Sequence, residues 1–285
     1  MFSNNPFVEL STTISPTIIQ WYVVLMFILV VGGTILDMLH KKSAKYFFEN
    51  AEKAKKNAKR TLGGGEKVGL AVATAANEVL TSGEFKSTRR RISHLLTMYG
   101  FIIFVATTVW LIFSCLPAAE TGTAPLWLTG LWHIGAIMLC LGGYWFWFFI
   151  RVDVASEGVK WYNFNGKGDI FILGLLAMGT FGLLWSYTQG AGGALNFVFF
   201  LLFLISSTIL FSTVLWSKFA HMFFKPAAAY QKRCIKADGS YENLPELGDL
   251  SDPDLQAKFP DIPEYMGTNP PNMGLGIKAE APRHF

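Results

Sequence analysis

The sequence predicts an all-α polytopic membrane protein: a five-helix transmembrane bundle with its N-terminus outside and its C-terminus in the cytoplasm. Three observations carry this. Five long apolar runs cover most of the first 224 residues, and basic residues crowd into alternate connections between them. A hydrophobic fraction of 52%, a charged fraction of 15% and a mean hydropathy of +0.36 belong to a lipid-embedded chain rather than a soluble domain.

The runs are Thr17–Leu39, Ser93–Leu116, Leu126–Ile150, Ile170–Thr188 and Leu195–Phe224. Each supplies about the 20 residues that a helix needs to cross a hydrocarbon core of roughly 30 Å. The first run has no small-residue cleavage site and no basic residue before it, so it reads as a retained helix rather than a signal peptide. Gly174, Gly179 and Gly182 interrupt the fourth, a pattern that close helix packing in lipid tolerates.

Orientation follows from the loops. Thirteen of the 24 Lys and Arg lie between the first two runs, from Lys41 to Arg91. The connections from second to third and from fourth to fifth contain none, whereas Arg151, Lys160 and Lys167 stand between third and fourth. The expected location is the cell's inner (cytoplasmic) membrane, and the net charge of +4 is a topology signal, not a nucleic-acid signal.

Four regions result: 1–39, outer terminus and first span; 40–92, a basic cytoplasmic helical loop; 93–226, a four-helix membrane core; and 227–285, an extended cytoplasmic tail. In the loop, Ser43–Leu62 reads as a basic amphipathic helix closed by Gly63, Gly64 and Gly65, and Val68–Leu80 as a second helix. It is either a hairpin on anionic headgroups or a platform for a soluble subunit. The tail has seven prolines, six basic and nine acidic residues and no sustained periodicity from Ala227 onward. Such a segment does not bury a core of its own. Tyr241, Phe259, Tyr265 and Met266 suggest an arm that orders on a partner.

The chemistry is concentrated in the histidines. His284 lies in the tail, and His40 ends the first span beside Lys41 and Lys42 at headgroup level. His94, His133 and His221 lie in the spans, where an ionisable group usually faces a bundle interior or a cofactor. By position, His94 opens the second span and His221 closes the fifth, both just inside the cytoplasmic boundary. His133 enters from the outer face, on the order of 15 Å from their level at 1.5 Å per residue. Two imidazoles from facing helices suit the axial positions of haem b. Gly100 would admit the flat macrocycle, and Arg89, Arg90 and Arg91 are placed for its propionates. Alternatively, both histidines are interfacial anchors bonded to lipid or backbone. Cys115, Cys140 and Cys234 have no cluster spacing, so an iron–sulfur relay belongs to another polypeptide. No nucleophile–base motif or phosphate loop stands out.

The segment Arg89-Arg-Arg-Ile-Ser-His94-Leu-Leu-Thr-Met-Tyr-Gly100-Phe, with Ser217-Lys-Phe-Ala-His221-Met-Phe-Phe-Lys225-Pro226, resembles the membrane cytochrome b subunits related to nitrate reductase gamma. Within that group the chain is most similar to the membrane subunits of heterodisulfide reductase, of the sulfite reductase-linked complex and of the quinone-interacting oxidoreductase. It also resembles the membrane anchor of adenylylsulfate reductase. The resemblance covers the second to fifth spans, with Asp169, Thr180 and Gly182 fitting the same pattern. It implies a membrane anchor and electron-transfer subunit of dissimilatory sulfur metabolism. That subunit would link quinone to cytoplasmic iron–sulfur or flavin subunits docked on 41–91 and 227–285. Nitrate reductase gamma chains carry two histidines on each of two helices; here each has one, so one haem is expected. His133 is then a core residue or, with Trp132 and Tyr187, a quinone site near the outer leaflet. Two rivals remain. One is a haem-free anchor for the same soluble enzyme. The other is a transporter, disfavoured because the spans lack paired charges, matching broken segments and a visible repeat.

Overall fold

The five apolar runs become five antiparallel helices, and every described residue in regular structure is helical. The structure is a computed structural model and describes residues 5–40, 42–83, 85, 87–116, 125–154, 157–240 and 250–269. The helices are α1 (Pro6–Ser11), α2 (Pro16–His40), α3 (Ser43–Lys55), α4 (Gly64–Thr74), α5 (Thr88–Trp110), α6 (Leu126–Trp145), α7 (Gly166–Thr188), α8 (Gly193–Ser212), α9 (His221–Asp238), α10 (Pro253–Lys258) and α11 (Asp261–Met266). Wider π-helical turns continue α4 through Ala75–Leu80, α5 through Leu111–Cys115 and α6 through Phe146–Ile150. Five of them (α2, α5, α6, α7 and α8) are long and apolar enough to cross a membrane, which makes this a multi-pass membrane protein.

The closest packing joins α5 to α6. A Cβ on Gly100 would lie 2.4 Å from the Leu139 nitrogen, and one on Gly142 would lie 2.6 Å from the Ser93 oxygen. The Ser93 hydroxyl donates to the Gly142 carbonyl at 2.8 Å. In lipid, where burial gains nothing between apolar helices, small residues that let backbones touch supply the attraction. From α6 the bundle continues to α7 through Leu176 against Gly143, then to α8 through Leu210 against Gly174. At the far end Phe7 of α1 wedges edge-on between Trp132 and Trp185, with centroids 6.0 and 5.5 Å away. Asn5 caps α1, its side-chain oxygen accepting from the Phe7 N–H at 3.0 Å.

The opposite end is the basic one, gathering the C-termini of α2 and α8 and the N-terminus of α5. There α9 packs on α3 and α4 to form a helical layer. Arg60 donates through Nε to the Ala237 carbonyl at 2.7 Å, and Arg233 pairs with Glu78 at 2.8 Å. Gln231 donates to the Phe47 carbonyl at 3.3 Å.

Three expectations need correction. The fifth span stops at Ser212 rather than Phe224: the Thr213 hydroxyl turns back to the Ile209 carbonyl at 2.7 Å, and Ser217 caps a short 3₁₀ turn over Lys218–Ala220. His221 therefore starts a new helix instead of ending a span. That helix, α9, runs through the boundary placed at 226/227, so the tail's first part is ordered against the basic loop. The first loop helix ends at Lys55, before the three glycines; Gly63 instead caps α4. Tyr241, His284, Lys41 and Lys86 lie outside the described residues.

Candidate functional site

The first turns of α5 close the basic end of the bundle. Leu80 and Thr81 end the π-helical turn after α4 with carbonyls that have no further helix to serve. Tyr99 donates to the Leu80 carbonyl at 2.6 Å and Arg91 to the Thr81 carbonyl at 2.7 Å. Ser82 follows with φ +47°, a left-handed conformation that costs a non-glycine residue of order 1–3 kcal/mol. Its buried hydroxyl is 3.0 Å from His94 Nδ1. The Phe85 ring lies 4.9 Å from the His94 ring, with the Arg90 guanidinium 5.8 Å and the Lys225 ammonium 5.7 Å from its centroid. Arg90 is also paired with Glu157 at 2.9 Å. Arg89 is exposed beside a small surface pocket shared with Trp145 and Asp153.

His221 stands at the same end, one turn before Lys225. Its Nδ1 is bonded to the Lys218 carbonyl, and its ring meets Phe171 edge-on at 5.5 Å. A carbonyl only accepts, so Nδ1 carries the proton of this bond, and Nε2 is the nitrogen through which the neutral ring could ligate a metal.

A bis-imidazole haem needs a slab of space and cations as well as two nitrogens, and in this packing neighbours of both histidines and two of the three arginines are engaged. Phe85 covers the His94 ring. Gly100, expected to face a macrocycle, faces α6, whose Leu139 and Gly135 backbone atoms fill that side. Arg90 and Arg91 already hold Glu157 and the Thr81 carbonyl. The large apolar cavity of the bundle is lined by neither histidine.

The other proposed site is divided. Trp132 and His133 are fully buried side by side with rings 4.9 Å apart, but Tyr187 is 68% exposed on the outer surface. His133 Nδ1 donates to the Thr129 carbonyl at 2.7 Å, so Nε2, at 2.8 Å from the Ser186 oxygen, accepts that hydroxyl's proton. Trp132 donates to the Thr108 oxygen at 2.9 Å. His133 thus ties α6 to α7. His133→Ala is expected to cost about 2 kcal/mol or more, through a cavity and two stranded polar groups. A lowered thermal midpoint in detergent, partly restored in His133→Gln, checks it.

Two charged groups have surroundings that the sequence did not assign. Arg151, at the end of the third span, donates to Asp169 Oδ2 at 2.6 Å and to the Asn163 carbonyl at 2.9 Å. Its guanidinium carbon lies 4.0 Å from the centroid of the Trp147 ring. Asp169 Oδ2 also accepts from the Asn165 N–H at 2.8 Å, while Asn165 caps α7. Asp37, the only acid in the first span, is 3% exposed. Its signal was plain: a carboxylate within an otherwise apolar run is costly unless it faces the bundle. No protein-family model, curated protein or solved structure matches the chain.

Proposed function

We propose that this chain is the membrane anchor of a cytoplasmic redox enzyme, holding that enzyme against the bilayer beside the quinone pool. The observation that carries it is the helical layer formed by α3, α4 and α9. A mere connector needs no such clamping, yet this one is tied by the Arg233–Glu78 pair, by Arg60 on the Ala237 carbonyl and by Gln231 on the Phe47 carbonyl. Its α3 helix and the residue after it expose Lys45, Lys53, Lys55 and Lys56 with Tyr46 and Phe48. Lys45 is bridged to Glu49 at 3.6 Å and Glu52 is exposed among them, so the surface keeps a basic excess with aromatic anchors, which suits an acidic protein surface. Orientation by basic loops puts this layer in the cytoplasm and the N-terminus outside, in the cytoplasmic membrane. The resemblance of the His94 and His221 segments names the class of partner: iron–sulfur or flavin subunits of dissimilatory sulfur metabolism, such as adenylylsulfate reductase.

The test is co-purification from the native membrane. The wild-type chain should bring down flavin- or iron–sulfur-containing subunits, and a Lys45→Glu, Lys53→Glu, Lys55→Glu, Lys56→Glu variant should lose them at least tenfold while remaining folded. Undiminished recovery with the reversed charges would refute this docking face.

A second version, in which the anchor also carries haem b between His94 and His221, is favoured by one observation: the Lys218 carbonyl leaves His221 Nε2 as the ligating nitrogen. It requires Phe85 to leave the His94 ring. When bound, haem would supply one-electron transfer between quinone and the soluble subunits. A pyridine haemochrome spectrum of the purified protein decides: b-type absorbance lost in both His94→Ala and His221→Ala, and kept in His133→Ala, supports this version. Its absence from the wild type leaves the haem-free anchor.

A further inference from the structure

We propose that the apolar cavity between α2, α5 and α8 holds one acyl chain of an anionic phospholipid whose phosphate lies against Lys218. The cavity measures about 350 Å³. It extends from Phe7 at the far end to Phe219, Met222 and Phe223 at the basic end. It exists because α2 meets its neighbours at separated points. Near its start, Gln20 reaches the Ile112 carbonyl at 3.4 Å and Tyr22 bonds to Thr208 at 3.0 Å. Three turns later Gly33 backs onto Val214, where a Cβ would come within 3.0 Å. Between these contacts the helices stand apart.

The lining selects a hydrocarbon chain over a polar ring. Its hydroxyls are those of Tyr22, Thr108 and Ser207, and each donates into the protein. Thr108 donates to the Phe104 carbonyl and Ser207 to the Phe203 carbonyl, both at 2.7 Å. Thr208 spends its proton on the Leu204 carbonyl at 2.8 Å, so Tyr22 donates to the Thr208 oxygen or to that same carbonyl. A quinone ring, with two carbonyls in need of donors, finds none there. An acyl chain needs none, and gains dispersion contacts with every wall.

The cavity's mouth supplies the headgroup chemistry. Trp216 is exposed on the turn leading into Lys218, at the end of α8, where an interfacial tryptophan marks headgroup depth. Lys218 is exposed and adjoins Phe219 of the lining, and no acidic residue occurs between Ser212 and Ala237. Lys218 offers a phosphate at that depth a cation, while Asp37 of α2 is 3% exposed inside the bundle, which favours an anionic lipid over a zwitterionic one.

The experiment is native mass spectrometry of the full chain in detergent, titrated separately with phosphatidylglycerol, phosphatidylcholine of the same chains and a long-tailed quinone. One phosphatidylglycerol should be retained in preference to the other two. Lys218→Gln should weaken that retention about fivefold without lowering helicity. Ser207→Phe or, from the α5 side, Val105→Phe should fill the cavity and abolish it. Equal retention of both phospholipids, retention unchanged in a folded cavity-filling variant, or quinone held in place of lipid would each overturn the proposal.

Discussion

Asp169→Ala is expected to destabilise the bundle by about 3–5 kcal/mol, the scale of removing one partner from a buried ion pair. Arg151 and Asp169 are 3% and 7% exposed, so the remaining guanidinium would keep its charge without its carboxylate. The loss is compounded locally: the Asn165 N–H loses its acceptor at 2.8 Å, loosening the start of α7, and Arg151 Nη1 already has no hydrogen-bond partner among the described residues. Stacking on Trp147 compensates that nitrogen only in part. Unfolding followed by tryptophan fluorescence measures the effect. A double variant, Arg151→Met with Asp169→Leu, should recover most of the stability, because removing both charges removes the desolvation cost along with the attraction. A single-variant loss under about 0.5 kcal/mol would show that water reaches the pair.

The same pair shows what the sequence could reveal. Five spans were legible because about 20 apolar residues in a row have few other uses. Boundaries were harder wherever apolar residues continue past a helix end. Val214, Leu215, Trp216 and Phe219 extend the last run, yet Thr213 and Ser217 bend the backbone through their own hydroxyls. The proline-rich, aperiodic sequence from Ala227 reads as an extended tail, and Pro226 stands just before it. That proline falls instead in the second turn of α9, ahead of three alanines that sustain the helix and of Ile235, which is buried.

The candidate site was legible as residues but not as contacts. His94 and His221 do share one end of the bundle, as chain direction required. What lies against each of them depends on tertiary neighbours that no spacing specifies: Ser82 and Phe85 for His94, the Lys218 carbonyl and Phe171 for His221. Arg90 could not be assigned from its own segment either, since its partner Glu157 is 67 residues away. The tie between His133 and Ser186 likewise joins two spans whose register only the fold sets.

Gly100→Ala, one added methyl, should be among the most damaging single changes in the chain, while the same change at Gly32 should be harmless. A Cβ at position 100 would sit 2.4 Å from the Leu139 nitrogen, 2.8 Å from the Gly135 oxygen and 2.9 Å from the Leu139 Cα. All three are backbone atoms of α6, so no side chain can rotate away and the helices themselves must separate. Overpacking a fitted interface costs about 1–3 kcal/mol and more where backbone is displaced. Separation would also stretch the Ser93 bond to the Gly142 carbonyl, now 2.8 Å. At Gly32 no atom lies within 4 Å, and alanine there should be neutral or stabilise α2 by up to about 1 kcal/mol through helix propensity. Thermal midpoints of the two variants, measured in one detergent, should move in opposite directions or differ by several degrees. If Gly100→Ala were as mild as Gly32→Ala, α6 could not be pressed against that face of α5.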